Sequence, residues 1–332
     1  MAEREPAEKL PQEKGRRKVM KRTVLLVLVL CMMLFTGVCA FCEAATVSEA
    51  TVMEATASEA TASEAAAQLD PAWKTFLLIG SDSRMDSLDG RADALIVCAV
   101  HEDTGAIRLI SLTRDMYIKL PDSEAHNRIN TAFRFGGPER MMDAVNETLG
   151  LQIEQYAAVN FRGFCDVIDV LDGITVTLAP GEAAVINKTA DGNNYNRTEI
   201  VPIPYKAETA TLCGAQALAF ARIRKIDSDF ARNGRQRDVV VAVLEKVKTL
   251  SFTQQLAFMK ECLSCVETNM GLGDIVSLGT LVLGHGFDDI MQLSLPSQGN
   301  YRYASIEGMS VVVFDEEATR REALEFIYGG IE

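Results

Sequence analysis

Histidine is scarce in this chain of 332 residues: there are three, His101, His126 and His285, scattered along it. Spread in this way, they read as surface positions rather than metal ligands. Also missing are a Gly-rich phosphate loop, a Gly-x-Ser-x-Gly nucleophile elbow and a His-Glu-x-x-His zinc motif, which removes the mechanisms those patterns carry. Positive charge is in short supply too. The net charge is −13, and residues 1–22 hold eight basic against four acidic side chains, so the remainder carries −17. That excludes nucleic acid as a partner, because binding it depends on neutralising phosphates with Lys and Arg. Cysteine pairing is incomplete. Of eight cysteines, Cys31, Cys39 and Cys42 lie in or beside an apolar segment, and five remain, an odd number. Cys98 sits in a strand-like apolar run and Cys165 and Cys213 in helix-like runs, where each reads as a small buried hydrophobe. Cys262-x-x-Cys265 lacks the second pair that zinc would need.

Long uninterrupted apolar runs are absent with one exception, Val24 to Phe41, which follows the basic residues Lys14, Arg16, Arg17, Lys18, Lys21 and Arg22. At 1.5 Å per residue it covers nearly the hydrocarbon thickness of a bilayer. Basic before and acidic after, at Glu43, it predicts a cytoplasmic tail over 1–22, a transmembrane anchor over 23–42 and an extracellular C-terminal bulk. A cleaved signal peptide is the rival, since Val38-Cys39-Ala40 and Cys42-Glu43-Ala44 loosely fit a small-residue cleavage site. Residues 45–64 repeat ATVSE, ATVME, ATASE, ATASE, with no large side chains to bury, and 43–72 therefore read as a low-complexity stalk.

From Trp73 to the C-terminus the texture is that of one globular domain, 73–332. Thr75–Gly80, Ala94–Val100 and Ala106–Leu112 are apolar, branched and bounded by turn residues, so they predict strands. Glu102-Asp103-Thr104-Gly105 predicts a hairpin between the last two. Helices are expected over Pro138–Leu149, Phe161–Leu171 and Cys213–Ala221, the last capped by Thr211, with strands at Tyr156–Asn160 and Ile174–Leu178. This alternation predicts an α/β fold, a three-layer α/β/α arrangement on a central mixed sheet.

If the first three strands alternate in direction, Asp82 after the first, Asp93 at the start of the second and Arg114 after the third converge at one edge. A second constellation is denser: Arg222, Arg224, Arg232 and Arg235 fall within fourteen residues. Arg232, Arg235 and Gln236 stand at i, i+3 and i+4, continuing through Val239 or Val240 to Val243, Leu244 and Val247. The arginine face thus runs into the apolar face, which places it at a cleft rather than in solvent. Arginine forks suit a diphosphate. Asp82 and Asp93 suit Mg²⁺, or Mn²⁺ in its place, because such ions take carboxylate and phosphate oxygens.

Five ordered motifs carry a resemblance: Leu78-Ile-Gly-Ser-Asp82-Ser-Arg84, Arg91-Ala-Asp93, Ser111-Leu-Thr-Arg114-Asp115, Arg128-Ile-Asn130, and Ala217 to Arg224 followed by Asp227-Ser-Asp229-Phe-Ala-Arg232 and Arg235-Gln236. Together they resemble the LytR-CpsA-Psr family of cell-wall glycopolymer ligases, over about residues 73–330. The resemblance implies an apolar tunnel for a polyprenyl tail, Asp82 and Asp93 on Mg²⁺, and Asp229 orienting the arginines. Arg84, Arg114, Arg128, Arg222, Arg224, Arg232, Arg235 and Gln236 would attend the phosphates. It further implies a phosphotransferase that moves a teichoic-acid- or capsule-like polymer from a polyprenyl diphosphate to peptidoglycan at the membrane. Where the family usually has Lys-Ile-Asn this chain has Arg128-Ile-Asn130, a change of reach and geometry. A lipid diphosphate hydrolase using the same site, and a non-enzymatic transcriptional attenuator, are the alternatives.

Overall fold

The three apolar runs are strands β1 (Trp73–Ser81), β2 (Ala92–His101) and β3 (Ile107–Leu112). β1 and β2 are antiparallel, with Phe76 opposite Cys98 and Gly80 opposite Ala94. β2 and β3 are antiparallel too, with Cys98 opposite Leu109. The hairpin between them turns at Gly105, whose φ of 71° an L side chain rarely adopts.

The computed structural model describes residues 70–83, 88, 90–196, 199–224, 229–285 and 289–329. The expected tail, anchor and nearly all of the stalk lie outside the described residues, as does Arg84. No helix among the described residues is long and apolar enough to cross a membrane. The further strands are β4 (Tyr117–Lys119), β5 (His126–Arg128), β6 (Gln155–Val159), β7 (Ile174–Thr177), β8 (Thr209–Leu212), β9 (Glu267–Thr268), β10 (Ile290–Leu295), β11 (Tyr301–Ile306) and β12 (Met309–Phe314). The helices are α1 (Asn130–Leu149), α2 (Phe161–Val170), α3 (Glu182–Thr189), α4 (Gly214–Ala221), α5 (Asp229–Lys248), α6 (Phe252–Cys265), α7 (Leu272–His285) and α8 (Glu316–Tyr328).

The central sheet has six strands in the order β10-β3-β2-β1-β6-β9. β6 runs parallel to β1 and β10 parallel to β3, so the sheet is mixed, as its sequence pattern predicts. Alternation along each strand sorts side chains to two faces. Leu77, Ile79, Leu95, Val97 and Ile110 join one core with Met141 and Val145 of α1 and Ala323 and Ile327 of α8. Phe76, Ile96, Cys98 and Leu109 join another with Val240, Val241 and Leu244 of α5 and Leu278 and Leu281 of α7. Helices therefore cover both faces. Each fully buried aliphatic side chain contributes about 1.5–3 kcal/mol.

The strand expected at Ile174–Leu178 forms as β7 and pairs with β8, in a ribbon of its own. Two expectations need correction. Thr211 does not cap α4, because it lies within β8. The cap is Cys213, whose N–H donates to Oε1 of Gln216 at 3.2 Å. α1 starts eight residues before Pro138. Gly136 and Gly137 break its backbone, so Pro138 opens the long second segment, where a missing N–H does no harm.

The β7–β8 ribbon packs with α2, α3 and α4 around Ile168, Ile174, Ile186 and Phe220, and Val239 and Ala242 of α5 close this cluster from the other side. Helix α5 thus contacts both the sheet and the ribbon. A side chain on Gly214 would meet the Cys165 carbonyl at 2.4 Å, so glycine lets α4 approach α2 this closely.

Candidate active site

Because β1, β2 and β3 alternate in direction, the end of β1, the start of β2 and the end of β3 meet at one edge of the sheet. Of the three residues expected there, Asp93 and Arg114 are in contact, and of the three only Asp93 lines the cavity described below. Nη1 of Arg114 donates to Oδ1 of Asp93 at 2.5 Å. Asp82 stands on the neighbouring strand just past a register shift at Gly80 and Ser81, its Oδ1 accepting the Arg91 N–H at 2.7 Å. Asp93 also draws in the second constellation. Nη2 of Arg224 lies 3.7 Å from the same carboxylate oxygen, and Nε2 of Gln236 donates to the Asp93 carbonyl at 3.5 Å.

Arg222 ends α4. Its Nη1 donates to Oδ1 of Asn193 at 3.0 Å, and its guanidinium lies 4.3 Å from the centre of the Phe161 ring, a cation–π contact that holds the fork in one orientation. Arg232 is only 1% exposed, in the first turn of α5. Arg222, Arg224, Arg232, Gln236 and Asp93 line one cavity of about 830 Å³. Most of the rest of its wall is apolar, with Leu78 and Ile96 from the sheet, Phe161, Phe164 and Val167 from α2, Leu218 from α4, and Val239, Val240, Val243 and Leu244 from α5, alongside the polar Ser81, Asn160, Thr189 and Asn193. From Arg232 to Val243 the helix rises about 16 Å, so the cavity passes from cationic to apolar along α5.

Other expected residues stand elsewhere. Arg235 does not reach the cavity: its Nε donates to Oε1 of Glu182 at 2.5 Å and its Nη1 to the Ile223 carbonyl at 3.2 Å, in a buried pair that ties α5 to α3. Its i+3 spacing from Arg232 turns it toward the ribbon, where Glu182 meets it. Arg128 is not in the cavity wall either, but it joins the arginine group at one remove, through Asp115. That carboxylate lies 3.4 Å from Nη1 of Arg128 and 3.5 Å from Nε of Arg114. The side chain of Asp229 and all of Arg84 lie outside the described residues.

Four contributors had no role in the sequence reading: Asp115, Asn160, Glu182 and Asn193. Asn160 was findable, since an Asn before a helical run is a cap signal; its Oδ1 accepts the Gly163 N–H at 2.8 Å and fixes the start of α2 at the cavity wall. Asp115 adjoins Arg114 and could have been paired with it. Asn193 has no local signal. Behind it lies Cys165, whose thiol is pushed up to about 12 by burial and donates to the Asn193 carbonyl at 3.7 Å. The thiol is therefore a packing group rather than a nucleophile.

No group of three or more His, Cys, Asp or Glu suited to a metal occurs among the described residues. Asp82, just past the end of β1 and outside the cavity wall, and Asp93, in β2 and in that wall, are two hard oxygen donors. This set fits an ion that completes its shell with phosphate oxygens and water, as Mg²⁺ does.

Comparison with known proteins gives a consistent result. The model of the LytR_cpsA_psr family matches residues 40–322. A protein of Halalkalibacterium halodurans named polyisoprenyl-teichoic acid–peptidoglycan teichoic acid transferase TagU is 32% identical over 228 residues, 68% of this chain and 70% of that one. Its namesake in Bacillus subtilis is 33% identical over 197 residues, 58% of this chain and 59% of the relative. The crystal structure of B. subtilis TagV has the same fold, with a TM-score of 0.62 at 24% identity over 78% of this chain and 98% of that one.

Proposed function

This chain belongs to the LytR_cpsA_psr family, and from that premise we propose that it is a transferase that moves a teichoic-acid- or capsule-like glycopolymer from a polyprenyl diphosphate to peptidoglycan. The printed activity of the TagU relatives supports the substrate class. The observation that carries the reading is a single cavity of about 830 Å³ that joins an arginine-lined end to an apolar remainder. A prenyl chain suits the apolar walls, where covering surface is worth roughly 25 cal/mol per Å². The diphosphate suits the forks of Arg222, Arg224 and Arg232, which stay charged at any relevant pH and bond phosphate oxygens two at a time.

In the reaction, a sugar hydroxyl of the wall attacks the phosphorus that bears the glycopolymer. A new O–P bond forms as the bond to the bridging oxygen breaks, polyprenyl phosphate departs with that oxygen, and the hydroxyl proton passes to a site carboxylate or to water. Negative charge grows on the bridging and equatorial oxygens, and fixed guanidiniums stabilise it without reorganising. Arg232, out of contact with water, acts in a low dielectric that strengthens the attraction. Asp93 positions Arg114 and Arg224. Asp82 and Asp93 would hold Mg²⁺ or Mn²⁺, which when bound neutralises phosphate oxygens. The apolar segment 23–42 anchors the domain 73–332 outside the membrane through the stalk 43–72, where carrier lipid and wall meet.

The test is reconstitution with lipid-linked polymer and peptidoglycan fragments. Polymer should become covalently attached to the fragments, and Arg222→Ala should lower the rate about a hundredfold or more while leaving the fold intact. Release of lipid phosphate with no new attachment would make the protein a hydrolase instead.

A further inference from the structure

Building on the transferase reading, the geometry points to a second subsite, an aromatic platform of Phe230, Tyr301 and Tyr303 that binds the sugar rings of the acceptor glycan strand. The ribbon β11–β12 lies outside the central sheet. Tyr301 and Tyr303, two residues apart on β11, project from the same face of the strand. The Tyr301 ring stacks on Phe230 with centroids 4.8 Å apart and 28° between planes. The Tyr303 ring meets Tyr301 edge-on at 5.7 Å. Tyr303 is 58% exposed. Three rings linked through Tyr301, one of them largely in water, make an apolar ledge at the surface rather than a core.

Two separate ties place this ledge at the reacting centre. Phe230 precedes Arg232 by two residues in the first turn of α5, so it stands on the other side of that turn from the cavity-facing arginine. From the other direction, the Val312 N–H donates to the Asp115 carbonyl at 2.8 Å, and Met116 pairs with Val312. Asp115 is the carboxylate between Arg114 and Arg128. The platform is thus fastened both to the helix that carries the phosphate-facing residues and to the loop that carries Arg114.

The chemistry selects the ligand. A pyranose presents one face of C–H bonds that packs on an aromatic ring, while its hydroxyl and acetamido groups stay in water or reach a phenol. With Tyr303 largely in water, the platform suits a long polymer passing over it and not a prenyl chain, for which the apolar cavity exists. An acceptor strand held here would lie beside the loop that carries Arg114, within reach of the cationic end of the cavity.

The experiment titrates the full chain in detergent micelles with a hexamer of β-1,4-linked N-acetylglucosamine by calorimetry, and the same preparations with a long-chain prenyl diphosphate. Wild type should bind the hexamer saturably. Tyr303→Ala should weaken hexamer binding about tenfold, with Tyr303→Trp restoring it. Retained binding of the prenyl diphosphate by Tyr303→Ala shows that the variant is folded. Equal hexamer affinity in wild type and Tyr303→Ala overturns the inference. So does a wild type that binds prenyl diphosphate but not the hexamer. Failure of wild type to bind the prenyl diphosphate instead overturns the transferase reading itself, and this inference with it.

Discussion

Arg235 and Glu182 meet at 2.5 Å with side chains 6% and 4% exposed, and the Ala179 N–H donates to the second oxygen of Glu182 at 2.8 Å. Two charges held out of water in this way are interdependent: removing one leaves the other buried and uncompensated, which costs about 3–5 kcal/mol. Glu182→Gln should therefore lower stability by about that amount in urea denaturation. Arg222→Ala, at a half-buried position in the cavity wall, should change stability far less while lowering transfer about a hundredfold or more. Equal stability of Glu182→Gln and wild type would show that Arg235 is held by something other than this pair. The contrast separates two arginines that look alike in the sequence, one a structural brace and one a phosphate ligand.

Helix α5 organises the next level. Its stripe of Arg232, Gln236, Val239, Val240, Val243 and Leu244 faces the cavity, while Arg235 faces α3. Selectivity for carrier length resides in the apolar half of that stripe. Val243→Trp fills space there without touching the arginines. It should raise KM for long-chain prenyl donors by about tenfold and leave a two-isoprene donor unaffected. Steady-state kinetics with both donors is the check, and an equal loss on the two would mean that the substitution disturbs the helix and not the cavity. A chain of small contacts supports the same helix from the sheet side, where Arg237 donates to Oε1 of Gln292 at 2.9 Å and to Oγ of Ser294 at 2.6 Å. Those bonds hold α5 on β10 while the cavity beside it remains open.

For the whole molecule, a net charge of −13 coexists with a cationic site, because the local field within a low-dielectric cleft, not the sum of charges, decides what binds. Ligand that binds only the folded chain stabilises it by mass action, about 2.7 kcal/mol at a hundred times Kd. A long-chain prenyl diphosphate should thus raise Tm by roughly 5 °C or more in the presence of Mg²⁺. EDTA should shrink that shift and renewed Mg²⁺ restore it. Thermal unfolding followed by circular dichroism measures both. A prenyl alcohol that shifts Tm as far as the diphosphate would remove the arginines from the account.

Much of the site can be read from local pattern. The turn at Gly105 and the alternating runs around it imply strand directions that bring Asp82, Asp93 and Arg114 to one edge. The spacing along 232–244 implies a stripe that is cationic at one end and apolar at the other. These readings hold because the periods of strand and helix follow from backbone geometry within a few residues. Three features depend instead on how distant segments pack. Arg235 belongs to a brace because Glu182 arrives beside it, fifty-three residues away in the chain. Asn193 supports Arg222, and the ring of Tyr301 lies on Phe230, for the same kind of reason. Such contacts are set by the docking of the β7–β8 and β11–β12 ribbons around the sheet, and no periodicity in either partner announces them.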